Sequence, residues 1–106
     1  MSKTVMISLP MAGRTDEEIK ADFARASEYL KAHGFEVVMN SIFDADWIYR
    51  EESGIRQPGL WYLGNALIKM SFCDAVYFMN GWENARGCQI EHSAAEKYGL
   101  ELIYEA

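Results

Sequence analysis

Glu91 is the side chain in this sequence best placed to do covalent chemistry. It lies near the start of a helical stretch, and the preceding Arg86-Gly87-Cys88-Gln89 keeps that end of the helix slim. A carboxylate in such a position can attack an electron-poor carbon or carry a proton. Helical geometry turns it about 100° from Ile90 and puts it on a stripe with Gly87, Ala94, Ala95 and Tyr98, away from a plainly solvated face. The bland alternative is a surface glutamate, the commonest fate of a helical Glu. Asp44 and Asp46 follow an apolar segment and are candidates for a second carboxyl group, although most loop aspartates form turns.

Two glycine-bearing loops are candidates for holding a ligand. The first offers Ser8, Pro10, Met11, Ala12, Gly13 and Arg14; the second offers Asn80, Gly81, Trp82, Glu83, Asn84, Arg86 and Gly87. Gly13 permits close backbone approach, a helix begins just after it, and Arg14 adds a planar cation, so an anionic or hydroxyl-rich ligand is expected there. An ordinary strand-to-helix turn explains the same residues. The glycine spacing and the missing loop Lys exclude a Walker A sequence and a full dinucleotide fingerprint. Cys88 and His92 stand at i, i+4, but two further ligands are not evident, so no metal is expected. His33 reads as a helix C-terminal residue, Asp74 as a turn residue, and Trp47, Trp61, Tyr62 and Trp82 as core or as surfaces for stacking on a base.

The elements that must position these groups alternate regularly. Thr4 to Leu9 is a nearly continuous apolar run, as expected of a strand buried on both faces. Thr15-Asp16-Glu17-Glu18 opens a helix that Gly34 closes. Phe35 to Met39 is a second strand, Leu60 to Phe72 a second helix with Leu63, Leu67 and Met70 on one face, and Asp74 to Met79 a third strand. Ala85 to Tyr98 is a third helix with Ile90, Ala94 and Tyr98 in register, and Leu100 to Tyr104 is the last strand. The polar stretch from Asn40 to Gly59 is a lid or holds a short helix. Single helices between strands demand parallel pairing and right-handed crossovers. The expectation is an α/β, flavodoxin-like three-layer sandwich with a four-strand parallel sheet of order 2-1-3-4. Ligands then gather beyond the carboxyl ends of strands one and three, where strand order reverses.

Composition agrees with one domain spanning residues 1–106. The 106 residues are half hydrophobic and carry a net charge of −6, which works against wrapping a nucleic-acid polymer but not against a single nucleotide. Two cysteines and no secretory leader suit a reducing cytoplasm, and no apolar run is long enough for a membrane span. A chain this short gains from a partner subunit, so a homodimer or higher homo-oligomer is expected.

From Cys73 to Glu105 the sequence, with Cys-Asp opening a strand that runs into Gly-Trp-Glu, a Gly, and a Glu on a helix ending in Gly-Leu, resembles the nucleoside 2-deoxyribosyltransferase-like superfamily. More narrowly, it resembles a small, largely uncharacterised bacterial and phage branch. Ile7-Ser8-Leu9-Pro10-Met11-Ala12-Gly13 is similar to its first-loop signature, with Leu9 where Gly is usual. The resemblance implies a flavodoxin-like fold and cleavage or deoxyribosyl transfer at the N-glycosidic bond of a nucleoside or nucleotide, without a cofactor. It places Glu91 at the nucleophile and implies oligomers in which a neighbour completes the pocket. No carboxylate aligns with the family's aspartate before the third strand, where Asn65-Ala66-Leu67-Ile68 stands, so Asp44, Asp46 or Glu83 would have to serve as general acid. Ser8, Met11, Gly13, Arg14, Asn80, Trp82, Arg86 and Gly87 are the expected substrate contacts. The alternative is a non-catalytic nucleotide-binding or interaction module. A receiver-like phosphoacceptor is disfavoured because Met79-Asn80 ends strand three where an Asp is required.

Overall fold

The computed structural model describes residues 3–38, 54 and 56–106. Asp44, Asp46, Trp47 and most of the Asn40 to Gly59 stretch lie outside them. The elements run β1 (Lys3–Ser8), α1 (Asp16–Ala32), β2 (Phe35–Val38), α2 (Pro58–Met70), β3 (Ala75–Phe78), a 3₁₀ turn (Trp82–Asn84), α3 (Arg86–Lys97) and β4 (Glu101–Tyr104). All strand pairs are parallel, in the order β2-β1-β3-β4, so the expected flavodoxin-like topology is the one observed. In α2 the helix begins at Pro58, earlier than Leu60. Proline suits the first turn, where its missing N–H has no partner to lose.

Side chains alternate across β1 and divide the core in two. Val5, Ile7 and Leu9, with Ala75, Tyr77 and Met79, pack under Ile19, Ala26 and Leu30 of α1. Met6, Val76 and Phe78 face the other way, against Ala66 and Met70 of α2 and Ala95 of α3. Ser8 follows Met6 at a spacing of two, so it belongs to the α2 and α3 side. There its hydroxyl, in a residue only 2 % exposed, must find a protein partner.

The ends of the elements are sealed by specific bonds. The Asp74 carboxylate accepts the Thr4 N–H at 2.9 Å, tying the start of β3 to β1 and making it structural rather than a ligand group. Thr15 and Glu18 form a complete capping box at the start of α1, and His33 caps its end. Removing the box should be measurable in a domain of this size. Thr15→Ala is expected to lower the unfolding free energy by about 1 kcal/mol, read as a lower urea midpoint with unchanged slope.

Candidate functional site

A crevice of about 810 Å³ opens beyond the carboxyl ends of β1 and β3. That volume is in the range of roughly 300–1,000 Å³ typical of small-molecule sites. Three segments wall it: Leu9 to Ala12 after β1, Asn84 to Cys88 with Ile90 and Glu91 at the start of α3, and Gly59, Leu60, Tyr62, Leu63 and Ala66 of α2. The two loops meet where expected. Gly81, at φ 94°, is so close to the first loop that a Cβ there would sit 3.4 Å from Pro10 Cγ. Only glycine takes that backbone conformation without strain.

Glu91 lines this crevice, and Ser8 Oγ donates to its Oε1 at 2.5 Å. The bond follows from the fold: Ser8 ends the central strand on the α3 side, and Glu91 shares the inward stripe of α3 with Cys88 and Ala95. Burial pushes the Glu91 carboxyl up to about 7, while the Ser8 hydrogen bond opposes the rise. Cys88, 5 % exposed, stands in the same cluster. Burial pushes its thiol up to about 11, with the Glu91 charge adding and a Ser8 hydrogen bond subtracting. It is therefore a neutral thiol near pH 7, a poor nucleophile. Among the described residues no cation pairs with Glu91. The site is a partly exposed carboxyl whose charged form has one hydroxyl for support.

The other expected residues divide. Met11, Arg86 and Gly87 line the crevice; Ser8 lies beneath it and acts through Glu91. Arg14 does not reach in. Its guanidinium bonds the Asp22 carboxylate and lies 3.7 Å from Glu18, both on α1, so charges of the helix that follows it satisfy it. Gly13, at φ 75°, shapes the turn that the Arg14 N–H to Met11 carbonyl bond closes, and does not line the crevice. Asn80 donates its backbone N–H to Glu105 at 2.8 Å, outside the crevice. Trp82 packs against the second core layer and stacks on His92 at 4.2 Å between ring centres. His92 turns from Cys88 to Tyr104, 2.7 Å from its hydroxyl, and no group of described residues could hold a metal. Glu83 is exposed and off the crevice, and Asn65 is buried with its amide nitrogen unpartnered, also off the crevice.

The expected register of α3 needs correction. Ile90 is 41 % and Tyr98 86 % exposed, while Cys88 and Ala95 are buried. Small side chains let the helix lie close to the sheet, and Tyr98 is already its cap. Of the α2 wall the sequence offered Tyr62 alone, as a surface for stacking, and missed Gly59, Leu60, Leu63 and Ala66, although from Pro58 to Met70 the helix carries one charge, Lys69.

Over residues 3–104 the chain matches the family model of a domain of unknown function (DUF4406), and it belongs to that family. The match carries no link to the nucleoside deoxyribosyltransferases. No curated protein and no solved structure matches. No described helix is long and apolar enough to cross a membrane.

The raised Glu91 value makes the site a cost to folding. A carboxyl that holds its proton more tightly when folded contributes most below pH 4.5, and that contribution is lost as pH rises to about 7. Glu91→Gln is therefore expected to stabilise the protein at pH 8, on the order of 2 kcal/mol, and hardly at all at pH 4. Denaturant titrations at the two pH values measure this. Ser8→Ala removes the opposing hydrogen bond and should move the Glu91 midpoint further up, as followed by carbon NMR of the side-chain carboxyl.

Proposed function

We propose that this DUF4406 member cleaves or transfers at the N-glycosidic bond of a nucleoside or nucleotide, with Glu91 as the nucleophile. One observation carries the reading: a partly buried carboxyl, held by Ser8 at 2.5 Å, sits in a ligand-sized crevice at the switch point of a parallel sheet. The resemblance of the Cys73 to Glu105 segment to the deoxyribosyltransferase-like proteins supports the same reaction.

The chemistry needs the ionised carboxylate. Its free oxygen attacks the anomeric carbon as the bond to the base nitrogen breaks, through a state in which the sugar carries positive charge. Water, or a second base, then displaces the carboxylate. The Ser8 hydroxyl holds the other oxygen in place and favours the charged form. The apolar walls formed by Leu60, Leu63 and Met11 reduce the water around the developing charges and strengthen the attraction of carboxylate for sugar. A neutral base must gain a proton as it leaves. Asp44 and Asp46, proposed for this task, are outside the described residues, and the described crevice wall holds one carboxyl, Glu91.

Arg86 takes the role expected of Arg14. It is exposed, stands at the first position of α3 and lines the crevice, with no ion pair among the described residues. A phosphate on the sugar would meet its guanidinium. A homo-oligomer also belongs to this proposal: Leu60, Ile68 and Phe72, along and just beyond α2, are 65, 47 and 73 % exposed and suit a second copy.

Two measurements test the reading. Base release from a panel of nucleosides, deoxynucleosides and their monophosphates should fall by at least about a thousandfold in Glu91→Gln. An unchanged rate removes the nucleophile, and ligand binding without release by the wild type favours a binding module. Arg86→Ala should weaken monophosphates about tenfold more than nucleosides, whereas Arg14→Ala should not discriminate between them.

A further inference from the structure

Among the described residues, Glu91 has no counter-charge. Its described partner is neutral Ser8, its neighbour Cys88 is a neutral thiol, and the crevice it lines is walled by apolar Leu9, Met11, Leu60, Leu63 and Ile90 together with Gln57, Asn84 and Arg86. An ionised carboxylate in such surroundings is costly until a cation lies beside it. Arg86 is five residues earlier on the same helix, about 7.5 Å along its axis, and makes no ion pair with Glu91. A ligand can bring the positive charge that the described wall does not place beside Glu91.

We propose that the crevice selects N-glycosides whose ring already carries a positive charge at the glycosidic nitrogen, such as pyridinium ribosides. The proposal rests on the N-glycosidic reading and names its substrate class. The chemistry closes without an acid. The C1′–N bond breaks with its electron pair going to the ring nitrogen, which cancels the ring's charge as Glu91 bonds to C1′. Water then attacks C1′, its oxygen stays on the sugar, its proton goes to solvent, and Glu91 returns as a carboxylate. No proton has to reach the departing ring.

Calorimetric binding to the full chain, comparing nicotinamide riboside with its reduced dihydro form, tests this. The two probes share the sugar and differ by one hydride, which removes the charge of the ring along with its aromaticity. The cationic riboside is expected to bind at least tenfold more tightly at pH 8. Its affinity should fall about tenfold between pH 8 and pH 6, since the Glu91 carboxyl takes up its proton near 7. The other titratable groups on the described wall are Cys88, held near 11, and Arg86 on α3, with Tyr62 on α2; β1 contributes Ser8, which does not titrate in this range. Glu91→Gln, checked for folding by circular dichroism, should lose the preference, and the wild-type pH dependence is an independent readout should that variant not fold.

Equal binding of the two probes, or a preference that persists in Glu91→Gln, overturns the proposal. Release of base from neutral deoxynucleosides with no preference for the cation also overturns it while leaving the N-glycosidic reading standing. Selective binding of an intact cationic riboside supports the charge selection and overturns cleavage.

Discussion

The hydrogen bond from Ser8 to Glu91 joins the two parts of the molecule on which the site depends. Ser8 ends β1, the strand that pairs with both β2 and β3, and Glu91 belongs to the helix that follows β3. The partners are 83 residues apart in the chain, so their meeting requires the whole parallel order. The alternation of β1 sends Ser8 to the α3 side, and the inward stripe of α3 sends Glu91 to meet it. A one-residue slip of β1 would deliver Ile7 or Leu9 to the carboxylate in place of a hydroxyl.

That arrangement works against folding. The rest of the α3 stripe, Cys88 and Ala95, is small and buried, and Ala95 joins Met6, Val76 and Phe78 in the core without polar cost. Glu91 interrupts it with a group that prefers its proton up to about pH 7. One hydrogen bond to a hydroxyl does not restore what the carboxylate loses in hydration. A residue that destabilises the fold, in a crevice that a ligand can enter, is better explained by what it does than by what it holds together.

The topology was legible in the sequence because parallel strands buried on both faces are apolar throughout, and Thr15, Gly34 and Gly99 mark helix ends by chemistry that depends on few distant contacts. The switch-point rule selected the Ser8 to Arg14 and Asn80 to Gly87 loops, of which Met11, Arg86 and Gly87 line the crevice, whereas Glu91 entered through its place near the start of α3 and through the family resemblance. The register of α3 was harder. Its large apolar residues, Ile90 and Tyr98, are the exposed ones, and its inward stripe contains an acid, so hydrophobic periodicity points the wrong way. Trp82 and Asn80 were in the right loop, but a loop has two sides, and core packing and the Glu105 carboxylate took them elsewhere.

The two arginines show why site residues of one type cannot be told apart by loop position alone. Arg14 and Arg86 each begin just past a loop at the same edge of the sheet. Arg14 is followed at helical spacing by Glu18 and Asp22, which face it across the first two turns of α1, and Asp22 also takes Arg25 at 3.1 Å. Arg86 is followed at the same spacings by Ile90 and Ala94. The carboxylate nearest to it in the α3 sequence, Glu91, falls one position beyond the i+4 row and turns inward to Ser8. Acidic residues at i+4 and i+8 therefore hold the first arginine against the helix it precedes, whereas their absence leaves the second exposed on the crevice wall. The crevice thus has a cationic mouth and an ionisable carboxyl beneath it. On the proposed reading, opposite charges held apart on one short helix suit a ligand that is itself polarised, with its anion outward and its cation within.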